Sequence, residues 1–181
     1  MTKVKVSELK KHLKSYSHDD LIRLIVELSK TSKEAQNYLA AKVQRETAAI
    51  ELYEEAKIQI QQEFFPRKGE PKLRLSHAKK AISNFAKFTD DPFLTTDLML
   101  YYVEIGTEFT VAYGDIDGPF YYSMAKMFNQ VTDVCNQSEQ LYERFSDRLE
   151  AVVLNARGIG WDYPDSLADS YYSIEWLDEE E

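Results

Sequence analysis

A single cysteine, Cys135, stands among 181 residues. No internal disulfide framework is open to the chain, and a reducing compartment is expected. Glycine and proline are scarce as well, at 6 and 5. Sheet proteins need many turns and helical proteins few, so this shortage points to helix. The three histidines, His12, His18 and His77, show no H-x-x-x-H spacing, which with a lone cysteine leaves no zinc ligand set. Long apolar runs are missing too. The longest candidate, residues 94–103, is interrupted by Asp97 and falls short of the roughly 18 residues that a membrane span requires. Met1 is followed by Thr2-Lys3-Val4-Lys5-Val6 with no apolar stretch of signal-peptide type. The expectation is a cytoplasmic protein with no membrane partner.

Reaction signatures are equally absent. There is no G-x-S-x-G elbow and no glycine-rich phosphate loop ending in Lys-Ser/Thr. Gly158-x-Gly160 lacks the third glycine and the preceding strand of a dinucleotide fingerprint. Cys135 falls on an apolar helical stripe, where a thiol is core rather than nucleophile. The chain therefore shows no recognisable catalytic motif, which leans away from an enzyme without deciding the question, and no cofactor and no catalytic or metal-ligating residue is assigned.

What the chain has is a core and a charge split. Hydrophobic residues make up 44% and aromatic residues 13%, enough for a globular domain. The net charge is −9, yet residues 1–89 hold 18 Lys+Arg against 11 Asp+Glu, and residues 90–181 hold 4 against 20. Such asymmetry marks either two complementary faces or a surface for a charged partner.

Apolar spacing divides the chain into helices. Ser7 opens a short one. Ser17-His18-Asp19-Asp20 caps a second, about 18–30, with Leu21, Leu24, Ile25 and Leu28 as its buried face. Ser32 caps a third, whose apolar side is Leu39 and Val43. A longer helix over 46–64 carries Ala49, Tyr53, Ala56, Ile60 and Phe64 on one stripe and stops at Phe65-Pro66. Residues 66–71 are the one linker-like stretch, after which helix resumes near 72. Asp90-Asp91-Pro92 restarts the chain into a helix over 92–112. Gly106 lies mid-helix there, a cost of about 1 kcal/mol that implies a close helix crossing. Pro119 starts another helix, one more runs over 138–157 to a left-handed stop at Gly158, and a last one covers 164–177 before an acidic end at 178–181. The expectation is all-α, eight or nine helices packed as helical hairpins in a single domain. Its N-terminal unit is 1–65, its loop 66–71 and its C-terminal unit 72–181. Residues 99–128 lie loosely on one tetratricopeptide-type pair, without a second copy at that period.

Several blocks carry a resemblance: Ser7-Glu8-Leu9-Lys10, Leu21 to Leu28, Ala78 to Phe85, Asp97 to Glu104, Tyr113-Gly114-Asp115-Ile116-Asp117 and Gly158-Ile159-Gly160-Trp161. Over nearly its whole length the chain resembles a family of small, uncharacterised all-helical bacterial proteins, a domain of unknown function. That resemblance implies no activity and no site residue.

Two surfaces stand out. Asp97, Glu104 and Glu108 lie within about 40° on one helix face, and Asp115 and Asp117 follow the end of that helix. Clustered carboxylates hold divalent metal, pair with cations or meet a partner. The Glu-x-x-His pairs of a di-metal bundle are missing. Asp115-Ile116-Asp117-Gly118 opens like a calcium loop but reaches Lys126 where the bidentate glutamate belongs, so a turn closed by aspartate side chains is expected. The second surface is basic: Lys72, Lys79, Lys80 and Lys87 stand away from an apolar face. Twelve tyrosines, several in pairs, favour an interface. The functional expectation is protein interaction, scaffolding or self-association through the acidic, tyrosine-rich C-terminal half. The alternative is nucleic-acid binding through the basic N-terminal half, where only Arg23, Arg45, Arg67 and Arg74 supply bidentate donors.

Overall fold

The computed structural model describes residues 4–179, with side chains described through Leu177. Residues 1–3 and the acidic side chains expected at 178–181 lie outside that range. Among the described residues there are nine α-helices and one terminal 3-10 turn, with no strand. The protein is all-helical.

Contacts divide the chain into two compact units, Met1–Ala48 and Ala49–Glu181. The boundary falls inside a helix rather than at the linker-like 66–71. Polar composition marked that stretch as a linker, but its flanks are tied together, as described below.

The first unit holds α1 (Val6–Leu13), α2 (His18–Thr31) and α3 (Lys33–Val43). Both expected serine caps are present. The Asp20 amide donates to Ser17 Oγ at 3.2 Å, and the Ala35 amide to Ser32 Oγ at 3.1 Å. The expected burial is not. Leu24, Ile25 and Leu28 are exposed, and among the described residues of this unit the buried hydrophobic ones are Ala41 and Ala48. Periodicity places Leu21, Leu24, Ile25 and Leu28 on one side of α2. Three short helices, however, do not supply enough opposing apolar surface to cover it.

α4 (Arg45–Phe64) crosses the boundary; its residues from Ala49 onward belong to the second unit, with α5 (Leu75–Thr89), α6 (Pro92–Tyr113), α7 (Gly118–Asn136), α8 (Glu139–Asn155) and α9 (Tyr163–Tyr172). α6 packs against α5, α7 and α8, and α7 against α8 and α9. Ile60 and Phe64 of α4 are fully buried in the same core. The Phe64 ring meets Tyr102, Phe109 and Phe120 edge-on, with centroids 5.8 to 6.3 Å apart. The crossing implied by Gly106 is there: a Cβ at that position would overlap the Met124 sulfur of α7. Helix does not resume at 72, as the spacing suggests, but at Leu75. The expected last helix is shorter as well. It ends at Tyr172, and a 3-10 turn over Glu175–Glu179 follows. Within that turn Trp176 donates its indole N–H to the carbonyls of Cys135 and Asn136, each at 3.2 Å.

Candidate functional site

The sequence-level candidates are three: the carboxylate strip of α6, the aspartates after it and the lysines around α5. α6 is well placed to present side chains. Asp91 caps it by accepting from the Leu94 amide at 2.9 Å, and Pro92 sits at its first position. Asp97 and Glu104 then lie two turns apart on the side that faces α8. There Arg148 meets both. Its Nε and Nη2 donate to Glu104 Oε1 and Oε2 at 2.7 and 2.8 Å, and its Nη1 donates to Asp97 Oδ1. Tyr53 of α4 donates its hydroxyl to the other Asp97 oxygen. All three guanidinium nitrogens are engaged, so Arg148 has no free fork for a further anion.

Electrostatics follow the geometry. Burial pulls the Arg148 pKa down, but the hydrogen bonds it donates to Glu104 and Asp97 outweigh it and hold the group firmly charged. Burial, and then the bond to Asp97, raise the Tyr53 hydroxyl well above its ordinary value. Tyr101 is raised first by burial and then by Glu108 and Glu104. The Lys57 ammonium lies 4.9 Å over its ring. Asp97 and Glu104 are thus internal ties among α4, α6 and α8. Glu108, one turn on, is exposed at the edge of a groove of about 450 Å³ lined also by Val111, Ala151 and Asn155. The arginine that joins the strip was missed from the sequence. Its only signal is its place in an acidic half with just four cations, beside the buried Phe145 and Leu149.

Asp115 and Asp117 form a different structure. Asp117 caps α7, accepting from the Phe120 amide at 2.9 Å. Asp115 accepts from the Tyr121 hydroxyl at 3.1 Å, and that oxygen accepts from the Ile116 amide at 3.2 Å. Segment 158–162 closes over this turn. Trp161 stacks on Tyr121 with centroids 6.4 Å apart and planes at 25°, and a Cβ at Gly118 would stand 3.3 Å from its ring. A Cβ at Gly160 would stand 3.2 Å from Asp115 Oδ2, so both glycines allow the approach. Trp161 and Asp162 hold φ of 65° and 52°, a left-handed conformation that bulky side chains rarely adopt. Trp161 is nevertheless 59% exposed. Two segments that stood 41 or more residues apart in sequence, 113–117 and 158–161, make one corner. Among the described residues no group of three His, Cys, Asp or Glu comes together to hold a metal ion.

The basic residues do not make one continuous face. Lys80 and Lys87 share a side of α5, while Lys79 is turned about 100° from Lys80. The Lys79 ammonium donates to Ser123 Oγ at 3.0 Å, and Ser123 bonds the Tyr102 hydroxyl at 2.9 Å inside the core. Burial pushes that tyrosine up to about 12. Lys72 precedes the helix, and its amide donates to the Glu63 carbonyl at 3.2 Å. Cys135 is fully buried, and burial pushes its thiol up to about 11, the opposite of an activated nucleophile.

A family model of unknown function, DUF6155, matches residues 3–168. The chain belongs to that family. The match takes in both units, the α6 strip and the Trp161 corner. No curated protein and no solved structure matches. Membership confirms the resemblance drawn from the sequence blocks and brings no activity with it.

Proposed function

We propose that the chain is a helical protein-interaction module that receives a cationic segment of a partner on the acidic, aromatic corner of its C-terminal half. The observation that supports this is Trp161. An exposed indole is held in a costly backbone conformation, fixed from behind by Tyr121 and Gly118. The exposed Asp115, Asp117 and Asp162 stand in or beside the two segments that form the corner. Rigid aromatic anchors with a polar rim are what protein interfaces use, and an indole face with nearby carboxylates suits a lysine or arginine side chain. Asp97 and Glu104, engaged by Arg148, serve the scaffold beneath. The surplus of acids in residues 90–181 steers such a partner in. A cytoplasmic setting accords with the lone, buried cysteine. Among the described residues no helix is long and apolar enough to cross a membrane.

The test is capture from the host lysate with the wild-type chain, Trp161→Ala and Asp115→Asn. A partner held by wild type and released by Trp161→Ala supports the corner. Equal retention by both variants removes it. Nucleic-acid binding through Lys72, Lys80 and Lys87 is the lesser reading, because Lys79 is drawn to Ser123. It requires retention of DNA or RNA that falls steeply with salt and is lost when Lys80 and Lys87 are changed to Glu.

A further inference from the structure

α2 is apolar around far more of its circumference than one neighbour covers. Leu21, Ile22, Leu24, Ile25, Val26 and Leu28 span about 200° of helix surface, whereas a helix packed on a single side needs a stripe of about 100°. α3 packs on α2, yet Ile22, Leu24, Ile25, Val26 and Leu28 are between 38% and 55% exposed. The unit Met1–Ala48 contains no cysteine, and among the described residues no side chains gather for a metal. Units this small and this poor in core are usually completed by a disulfide, a metal or oligomerisation. The first two are closed to it.

We infer that the apolar face of α2 is a self-association surface, covered by α2 of a second copy of this chain in antiparallel, two-fold pairing. The charges of α2 select that occupant. They are mixed rather than of one sign, with Asp19, Asp20 and Glu27 against Arg23 and Lys30, so the helix suits neither a polyanion nor a strongly basic peptide. They are also sorted along the axis: Asp19 and Asp20 lie in the first turn and Lys30 in the last. Antiparallel pairing sets each acidic end beside the basic end of the other copy. Packed helices stand about 8–10 Å apart, within or near a Debye length of about 8 Å, and the helix dipoles favour the same direction. With the two-fold axis at Ile25, that residue meets its own copy and Leu21 comes beside Leu28 of the second copy. A two-fold contact is closed, so the assembly stops at two. This surface is separate from the Trp161 corner and stands or falls without it.

Sedimentation equilibrium of the full chain at micromolar concentration gives a dimer if the inference holds. Ile25→Glu and Leu28→Glu, both at exposed positions, shift it to monomer with the helical circular dichroism kept. Val111→Glu, at an exposed apolar position on α6, leaves the dimer in place. Ile25→Cys tests the register without adding charge: mild oxidation links two chains through it, while Cys135 stays buried and unlinked. A wild-type monomer overturns the inference. A dimer indifferent to both glutamates, or an Ile25→Cys chain that does not cross-link, overturns it too.

Discussion

At the scale of single residues, Arg148 decides what the α6 carboxylates are for. The register that places Asp97 and Glu104 on one side of a helix is legible in the sequence, because seven residues are close to two turns. What binds them is not, since the partner comes from 44 and 51 residues further along the chain and local spacing carries no information about tertiary neighbours. The arrangement makes a testable claim. Replacing Arg148 by methionine keeps most of the side-chain volume and leaves Asp97 and Glu104 facing each other without a cation. A fully buried pair broken in this way costs more, but this arginine is partly solvated, which reduces the loss. The expected destabilisation is about 2 kcal/mol, read as a lower urea midpoint. Adding Asp97→Asn to that variant should recover part of the loss, because one stranded charge is then removed. An unchanged midpoint in Arg148→Met would mean that the carboxylates are solvated and open to a partner after all.

At the scale of elements, the strap between α4 and α5 shows where composition misleads. Pro66, Gly69 and Pro71 read as a linker, and turn residues do mark a break in helix there. The ends of that break are nevertheless stitched to one residue. The amides of Lys72 and Leu73 both donate to the Glu63 carbonyl, at 3.2 and 3.0 Å. The Glu63 carboxylate receives Arg74 through its backbone amide at 3.2 Å, Nε at 3.0 Å and Nη2 at 2.7 Å. Leu73 takes φ of 48° to fit, and this delays helix to Leu75. Burial of Glu63 works to raise its pKa, but the bonds from Arg74 prevail and hold it below the ordinary carboxylate value. A depressed folded-state pKa adds stability that is present above the unfolded value and is lost as pH falls through the folded one. Wild type should therefore lose stability on acidification below about pH 4.5 more steeply than Glu63→Gln, which starts less stable at neutral pH. Thermal melts of the two chains across that range check it. Parallel curves would show that the strap does not depend on the charge.

At the scale of the whole molecule, helix number and most helix starts follow from caps and apolar period, since these are local signals that short stretches carry by themselves. Burial is different. The same spacing that marks Ile60 and Phe64, both fully buried, also marks Ile25 and Leu28, both exposed, because periodicity says which side is apolar and not whether anything lies against it. The two units consequently differ in what holds them. Ala49–Glu181 has a continuous core of aromatic and aliphatic side chains, and every buried polar side-chain atom among the described residues is partnered. Met1–Ala48 has helix caps and little burial. Local stability tracks buried apolar contact, so amide exchange should divide along the same line. Native-state hydrogen exchange on the full chain is expected to show α1, α2 and α3 opening several kcal/mol below the global unfolding that sets protection in α6 and α7. The slowest amides should cluster near Leu98, Tyr102 and Phe128, which are fully buried. Raising the protein concentration should slow exchange in α2 if a second copy covers it and leave α6 and α7 unchanged, because association protects only what it buries. Uniform protection across both units would mean that the chain unfolds as one body, and that the N-terminal helices draw their stability from contacts other than those within Met1–Ala48.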